Sequence, residues 1–428
     1  MEKTPAKVPD TSSKKDTPNS VVNEKEKKKQ AFLVRAFWTL VMIAGMFFII
    51  GAGHIWTILL VVLLQILVFK ECITITTEKA RIENLPFTAS LNWYFLITSI
   101  YFLDGESLIY HSINKLQTED YERVFEFFKF FIVNHRFISY CLYVLGFVFF
   151  VASLTKGYYK FQFAQLCITT MTLLLVVVQA HCIVNNILNG LIWFLLPVGL
   201  VIVNDIFAYL CGITFGRTQL IEISPKKTVE GFVGAWICTG AFSMILSYVF
   251  SKYTYLICPV EDNLSANWFT GMTCDPNPIF IPQIFKLPEV LVDLAARVDY
   301  QVDFVSFKPI YFHSMVLATF ASLIAPFGGF FASGLKRAFK VKDFGDTIPG
   351  HGGITDRMDC QFLMGSFSYL YYETFISNNK VNIGTILQSI VINLSEDQIV
   401  ILVQSLHKYL YKIGVINEDT YKQLVNLI

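Results

Sequence analysis

The stretch AFWTLVMIAGMFFIIGAGHIWTILLVVLLQILVF, residues 36–69, decides the fold class of this 428-residue chain. It contains no charge apart from His54. A helix crosses a bilayer with about 20 apolar residues, so a run of this length predicts a hairpin of two membrane-spanning helices. The composition agrees, since 54% of the residues are hydrophobic and only 16% are charged, with a mean hydropathy of +0.52. We therefore predict an all-α, polytopic integral membrane helix bundle and exclude an ordinary soluble domain.

Further apolar runs complete the bundle. Residues 161–204 carry no charge apart from His181 and predict two more spans. A weaker span at residues 358–377 is interrupted by Asp359 and Glu373. Single spans are expected at residues 86–103, 137–155, 231–251 and 309–335. The predicted total is about nine membrane-spanning helices.

Three segments differ in composition. Residues 1–30 are rich in Lys, Ser, Thr, Pro and Glu without periodicity, which predicts a disordered cytoplasmic N-terminus. Residues 31–378 form the transmembrane domain. Residues 379–428 form an amphipathic helical tail, for which a packing or dimerisation helix is favoured over a helix on the membrane surface.

The distribution of Lys and Arg predicts the orientation. In a nine-span topology most of them share a side with the N-terminus, and positive charge stays on the cytoplasmic side. Two polar stretches, residues 204–231 and 333–359, fall on this same side. The loop 252–308 falls on the luminal side and holds Cys258 and Cys274, for which a disulfide and two free thiols are both open.

The richer polar stretch is SGLKRAFKVKDFGDTIPGHGGITDRMD, residues 333–359. Lys336, Arg337 and Lys342 suit phosphate, because Lys supplies a point charge and Arg a bidentate fork. Taken alone, the same cluster is typical of a positive-inside signal after a membrane span.

Carboxylates favour the phosphate interpretation. Asp343 and Asp346, like Asp356 and Asp359, are three residues apart, which places each pair on one face of a helix. Close carboxylates are costly unless a cation lies between them, and Mg²⁺ prefers such oxygen ligands together with water and substrate phosphates. Asp359 also lies at the start of an apolar run, where a carboxylate is a functional candidate.

A glycine-rich turn joins these charges. Gly352 and Gly353 allow close approach of the backbone to a ligand, and their N–H groups, leading into a helix at Asp356, predict an anion-binding concavity. His351 is a candidate donor to phosphate or a candidate acid, with a turn histidine bonded to backbone as the alternative.

The other polar stretch, residues 204–231, is the expected partner. Asp205, after Asn204, is a candidate metal or ribose ligand, with a helix N-cap as the alternative. Lys226 and Lys227 supply positive charge, with a topogenic role as the alternative.

Together these motifs resemble one known family. The order Ser333-x-Leu335-Lys336-Arg337, four residues, Lys342-Asp343-x-Gly345, then Ile348-Pro349-x-His351-Gly352-Gly353-Ile354-x-Asp356-Arg357-Met358-Asp359 is similar to the signature of the phosphatidate cytidylyltransferases (CDP-diacylglycerol synthases). The blocks NDIFAY and SPKKTVEG resemble the eukaryotic branch of that family. The likeness extends over about residues 30–378 and leaves the N-terminal segment outside.

The resemblance implies a reaction in which CTP and phosphatidic acid give CDP-diacylglycerol and pyrophosphate, with Mg²⁺, in phospholipid synthesis. Residues 31–378 would be the catalytic domain, and we expect it in the endoplasmic reticulum, with another internal membrane left open. The distribution of Lys and Arg places the site on the cytoplasmic side. Expected partners are CTP, phosphatidic acid, membrane lipid and a second copy in a homodimer, with no nucleic acid. A second, monovalent cation such as K⁺ is left open.

The resemblance also implies roles for individual residues. The expected catalytic residues are Lys342, Asp343, Asp356, Arg357 and Asp359, of which Asp343, Asp356 and Asp359 would hold metal. The expected substrate-binding residues are Asn204, Asp205, Lys226, Lys227, Lys336, Arg337, His351, Gly352 and Gly353.

Two alternative functions remain at this point. The nearer one is a CTP-dependent lipid kinase of the dolichol kinase type, which differs in the group transferred, or a cytidylyltransferase that acts on another lipid phosphate. The more remote one is a transporter, against which the charges cluster in contiguous segments at one face without an inverted repeat.

Overall fold

The structure is a computed structural model. It describes residues 18–116, 130–131, 134–225, 227–260, 266–286, 304–350, 352–377, 390, 394–414 and 417. The chain divides into two compact units, Met1–Ile376 and Ser377–Ile428.

Helices make up nearly all of the regular structure. The helices of the first unit are α1 Pro18–Ala52, α2 His54–Thr76, α3 Glu78–Ile82, α4 Thr88–Leu116, α5 His135–Ala152, α6 Tyr159–Leu173, α7 Gln179–Leu188, α8 Ile192–Phe215, α9 Val229–Phe250, α10 Thr254–Ile257, α11 Ile310–Leu323, α12 Pro326–Ala338 and α13 Thr355–Phe375. A π-helical turn, Leu174–Val178, joins α6 to α7, and a 3₁₀ turn spans Pro278–Phe280. The second unit holds α14, Glu396–Lys412, which begins with the capping box of Ser395 and Gln398.

The all-α membrane bundle is confirmed. Residues 36–69 form the predicted hairpin of α1 and α2, and α1 already begins at Pro18, within the segment expected to be disordered. By length and composition, seven helical segments among the described residues can cross a membrane, fewer than the nine predicted. The other two predicted spans correspond to the helices α4 and α13.

The predicted span at 309–335 is divided. It consists of α11 and α12, with Pro326 as the first residue of α12. Proline lacks a backbone N–H and fixes φ, so it breaks a continuous helix but suits a first helical turn.

Polar ties and small residues hold the core of the bundle together. Lipid is as apolar as a leucine side chain, so helices in a membrane associate through close packing and hydrogen bonds. Asn186 of α7 donates to the carbonyl oxygen of Gly365 in α13 at 2.8 Å. A Cβ atom on Gly365 would lie 2.3 Å from Ile183, so α7 and α13 approach each other closely. Around them the largest fully buried side chains include Trp193, Leu196 and Leu200 of α8.

The loop between α9 and α11 forms a small cap. Its strands β1 (Gln283–Lys286) and β2 (Phe304–Phe307) pair antiparallel, with Gln283 opposite Phe307. A disulfide joins Cys258 to Cys274. The cap is bonded to the α1–α2 turn, because Trp268 N–H donates to Gly51 O at 3.0 Å and Tyr255 O–H to Ile50 O at 2.6 Å.

Candidate active site

The centre of the site is an ion pair between two helix ends. Lys336 lies in the last turn of α12, and Asp356 lies in the first turn of α13. Lys336 Nζ is 2.5 Å from Asp356 Oδ1, and the backbone N–H of Phe344 donates to Asp356 Oδ2 at 3.2 Å. The side chains of Lys336 and Asp356 are only 15% and 11% exposed. One carboxylate therefore ties α12, the following loop and α13 together.

Asp359 lies one turn further along α13, against two glycines of α12. A Cβ atom on Gly328 would lie 2.3 Å from the carbonyl oxygen of Asp359, and one on Gly329 would lie 3.4 Å from Asp359 Oδ2. Only glycine permits this approach. The glycines of α12 therefore bring its backbone directly beside the Asp359 carboxylate.

The second polar stretch meets the first at this point. Asp205 interacts electrostatically with Lys227 and Arg357, and Asp359 interacts with Asp205 and Asp356. The predicted meeting of the two stretches is thus seen in the structure. Both Asn204 and Asp205 lie inside α8, which rules out the alternative of a helix N-cap.

The loop after α8 is fastened at its two ends. Glu230 in the first turn of α9 accepts from the N–H of Arg217 at 3.0 Å and from the Thr218 hydroxyl at 2.7 Å. Thr228 caps α9 by accepting from the N–H of Gly231. Lys227 Nζ lies 3.8 Å from Asp205 Oδ1, and this pair joins the loop after α8 to α8 itself.

The glycine-rich turn closes beside Asp343. Ile348 N–H donates to Gly352 O at 3.0 Å, and Gly350 and Gly352 have φ values of 77° and 83°, which favour glycine. A Cβ atom on Gly352 would lie 3.7 Å from Asp343 Oδ1. Three further candidates, Arg337, Lys342 and Asp343, have exposed side chains. His351 and Lys226 lie outside the described residues.

One important residue was missed by the sequence analysis. Glu71, near the end of α2, is 8% exposed, and its carboxylate accepts four hydrogen bonds from the segment around the glycine turn. The donors are the Thr347 hydroxyl, the N–H groups of Ile354 and Thr355, and the Thr355 hydroxyl. The available signal was a glutamate that follows Lys70 at the end of a charge-free run, which resembles an ordinary helix end.

These bonds modify the predicted anion-binding concavity. The N–H groups of Ile354 and Thr355 stand at the N-terminus of α13, where an anion is favourable. They donate to Glu71, at 3.0 and 2.8 Å. The Glu71 carboxylate therefore occupies the N-terminus of α13, where the sequence predicts that a substrate phosphate binds.

The carboxylates can be compared with the needs of Mg²⁺. Within the described ranges no three His, Cys, Asp or Glu side chains converge to hold a metal by themselves. The expected set of Asp343, Asp356 and Asp359 is therefore not assembled as a three-ligand group, and Asp356 is already bonded to Lys336. Mg²⁺ usually takes one or two carboxylates and completes its shell with water and substrate phosphates. The carboxylates of Asp205 and Asp359 interact electrostatically, and two such oxygen donors are the kind that Mg²⁺ takes.

The fold and this cluster define a class of protein. Basic side chains and carboxylates lie where α2, α8 and α12 each pack against α13 within a membrane helix bundle. Such an arrangement suits an enzyme that handles phosphate-bearing substrates at a membrane.

Comparisons with known proteins identify the family. The sequence model of the cytidylyltransferase family matches residues 33–375. The chain is 56% identical to the phosphatidate cytidylyltransferase of Saccharomyces cerevisiae over 411 residues, which cover 96% of this chain and 87% of that protein. It is 44% identical to phosphatidate cytidylyltransferase 1 of Homo sapiens over 383 residues, covering 90% and 80%. The chain belongs to the cytidylyltransferase family, and the resemblance to its eukaryotic members is confirmed.

Proposed function

We infer that this chain is a phosphatidate cytidylyltransferase. It transfers the cytidylyl group of CTP to phosphatidic acid, giving CDP-diacylglycerol and pyrophosphate. The observation that carries this conclusion is the meeting of Lys336, Asp356, Asp359, Asp205 and Lys227 in a chain that matches its named relatives over nearly its whole length.

The reaction requires positioning and charge neutralisation. An oxygen of the lipid phosphate attacks the α-phosphorus of CTP, a new P–O bond forms, and the bond to the β-phosphate oxygen breaks to release pyrophosphate. A phosphate monoester is already a nucleophile at neutral pH, so a strong general base is not needed. The protein supplies alignment of the two reactants and a fixed electrostatic environment.

The basic side chains are assigned to the phosphates. Lys336 is paired with Asp356, and Arg357 interacts electrostatically with Asp205. These two basic side chains would bind the triphosphate and stabilise the leaving group. Arg337 and Lys342 are exposed beside them and would contact phosphate from the aqueous side. We propose that Lys226 and Lys227 both bind the nucleotide or the lipid headgroup.

The carboxylates are assigned to metal and nucleotide. Mg²⁺ bound with CTP would neutralise charge on the phosphates and polarise them. We propose that Asp359 and Asp205 hold the ion, while Asp356, which is bonded to Lys336, and Asp343 interact with it through water or the substrate phosphates. Asn204 would contact the nucleotide, since its Oδ1 atom is buried and lacks a hydrogen-bond partner among the residues that the structure describes.

The membrane location and partners extend this proposal. The acyl chains would remain between helices in lipid while the reacting phosphate meets CTP at the interface. We propose that the site faces the cytoplasm from the endoplasmic reticulum, because the clustered basic residues follow the positive-inside rule. A homodimer formed through α14 is proposed from the exposed Val400, Ile401 and Leu406 on that helix.

The decisive experiment follows the α-phosphate of CTP. Purified protein in detergent receives phosphatidic acid, Mg²⁺ and CTP labelled at the α-phosphate, and we expect label in a lipid product together with free pyrophosphate. Asp359→Asn should abolish this transfer while the protein keeps its elution volume and unfolding temperature. Label that enters lipid only from γ-labelled CTP would replace the proposal with the kinase alternative, and consumption of neither label would favour a transporter.

A further inference from the structure

We propose that Glu71 is a positioning residue of this site: its carboxylate fixes Thr347, Ile354 and Thr355, on either side of the glycine-rich turn, and through them the place of Asp356. The proposal deepens the proposed function and rests on it only for the task of Asp356.

The contacts of Glu71 span the whole glycine turn. Thr347, before the turn, donates its hydroxyl to Oε1, to which the N–H of Ile354 also donates at 3.0 Å. The N–H and the hydroxyl of Thr355, after the turn, both donate to Oε2 at 2.8 Å. Two donors on each oxygen close the loop around a single side chain.

These four bonds require a carboxylate at this position. An ionised carboxylate only accepts hydrogen bonds and has about four acceptor sites, which matches the four donors. A glutamine would place its NH₂ group against two of these donors. An ionisable residue near a membrane is retained where it has a specific partner, and here the partner is the loop.

The bonds of Glu71 also determine where the Asp356 carboxylate lies. Thr355 directly precedes Asp356 in the first turn of α13. A Cβ atom on Gly353 would lie 2.8 Å from Glu71 Oε2 and 3.2 Å from Asp356 Oδ2. Both carboxylates therefore lie close to the backbone of Gly353. Phe344 N–H donates to Asp356 itself. Movement of the loop away from Glu71 would therefore move Asp356 and its partner Lys336.

Glu71 is a positioning residue, since its oxygens are already saturated by protein donors. Its effect on catalysis is transmitted through Thr347 and the first turn of α13. A glutamate that merely stabilised the bundle would give a different result, because its loss would loosen the helices without a specific change in the loop.

The first test measures hydrogen exchange without CTP, phosphatidic acid or Mg²⁺. We expect Glu71→Gln in the full-length protein to increase deuterium uptake in peptides covering residues 344–355, while peptides covering residues 365–375 stay unchanged. Asn186→Leu is the matched control, because it removes a buried tie to α13 at Gly365 and should leave the loop protected. Wild-type uptake in the loop of Glu71→Gln would overturn the proposal.

The second test measures turnover. Loss of a residue that orients an active-site ligand typically costs on the order of 10–100-fold in activity, and we expect a fall of this size in kcat for Glu71→Gln. Asn186→Leu and Glu78→Gln, an exposed glutamate after the same helix, should keep the wild-type kcat. Combining Glu71→Gln with Thr347→Val should add little further loss, because both remove the same interaction.

The outcomes separate this inference from the proposed function. If wild-type protein transfers no label from CTP to lipid, the proposed function fails, and the exchange experiment still decides whether Glu71 orders the loop. If the wild type is active and Glu71→Gln keeps its kcat, the inference fails alone. Should Glu71→Gln not fold, Thr347→Val and Thr355→Val each remove one hydroxyl donor, and normal exchange and kcat in both would overturn it.

Discussion

Lys336 Nζ lies 2.5 Å from Asp356 Oδ1, so the last turn of α12 is joined to the first turn of α13 by an almost buried ion pair. The lysine expected to bind phosphate therefore has an internal anion as its partner. An incoming phosphate can share Lys336 only if it approaches from the face that Asp356 leaves open. If Lys336 binds the triphosphate as proposed, the pair restricts the direction from which the triphosphate enters.

We expect Lys336→Gln to damage both stability and activity. Removing one member of a buried pair leaves the other charge without compensation, which typically costs about 3–5 kcal/mol. Displacement of Asp356 should also lower cytidylyl transfer on the order of 100-fold. Thermal unfolding in detergent measures the loss of stability, and the transfer of label from the α-phosphate of CTP to lipid measures the loss of activity. Lys160→Gln, at an exposed lysine in α6, should change neither, and wild-type behaviour of Lys336→Gln would show that the pair is dispensable.

The glycines of α12 offer a test within one helix. We expect Gly328→Ala to lower the unfolding temperature and the activity, because its Cβ atom would lie 2.3 Å from the carbonyl oxygen of Asp359 and force the helices apart. Gly334→Ala has nothing within 4 Å of its Cβ position and should stabilise the helix by up to about 1 kcal/mol. Equal unfolding temperatures for the two variants would contradict the close contact.

The pair of Lys227 and Asp205 should matter for substrate binding and not for stability, in contrast to the buried pair of Lys336 and Asp356. Their Nζ and Oδ1 atoms lie 3.8 Å apart, and both side chains are far more exposed than those of the Lys336–Asp356 pair, so this contact holds the bundle together less firmly. We therefore expect Lys227→Gln to keep the wild-type unfolding temperature while raising the KM for CTP or phosphatidic acid. A lower unfolding temperature with unchanged KM values would assign Lys227 a structural role.

Much of this architecture could be predicted from local sequence. The α1–α2 hairpin follows from the length of the apolar run at 36–69, and the spacing of Asp356 and Asp359 correctly places both on α13. The division of residues 309–335 could also have been read from Pro326. Local rules succeed where the structure depends on neighbours within one turn or one bilayer thickness.

The role of Glu71 could not be predicted in this way. Its bonds to Ile354 and Thr355 join residues 283 and 284 positions apart, and no periodicity connects them. The engagement of Asp356 by Lys336 is likewise a product of how α12 packs on α13. These contacts depend on three-dimensional packing, which a single sequence does not reveal.

The disulfide of the cap should matter for stability alone. Cys258 and Cys274 are 16 residues apart in the chain and follow the C-terminal end of α9. The candidate site lies at the other end of this helix, where Glu230 in the first turn accepts from Arg217. A bridge closing a loop of about this length contributes roughly 3 kcal/mol by restricting the unfolded chain. We expect the double variant Cys258→Ser, Cys274→Ser to unfold at a lower temperature while keeping the wild-type kcat. Treatment of the wild type with a reductant should reproduce the shift, whereas treatment of the variant should not. A fall in kcat at temperatures where the variant remains folded would show that the cap is coupled to the site along α9.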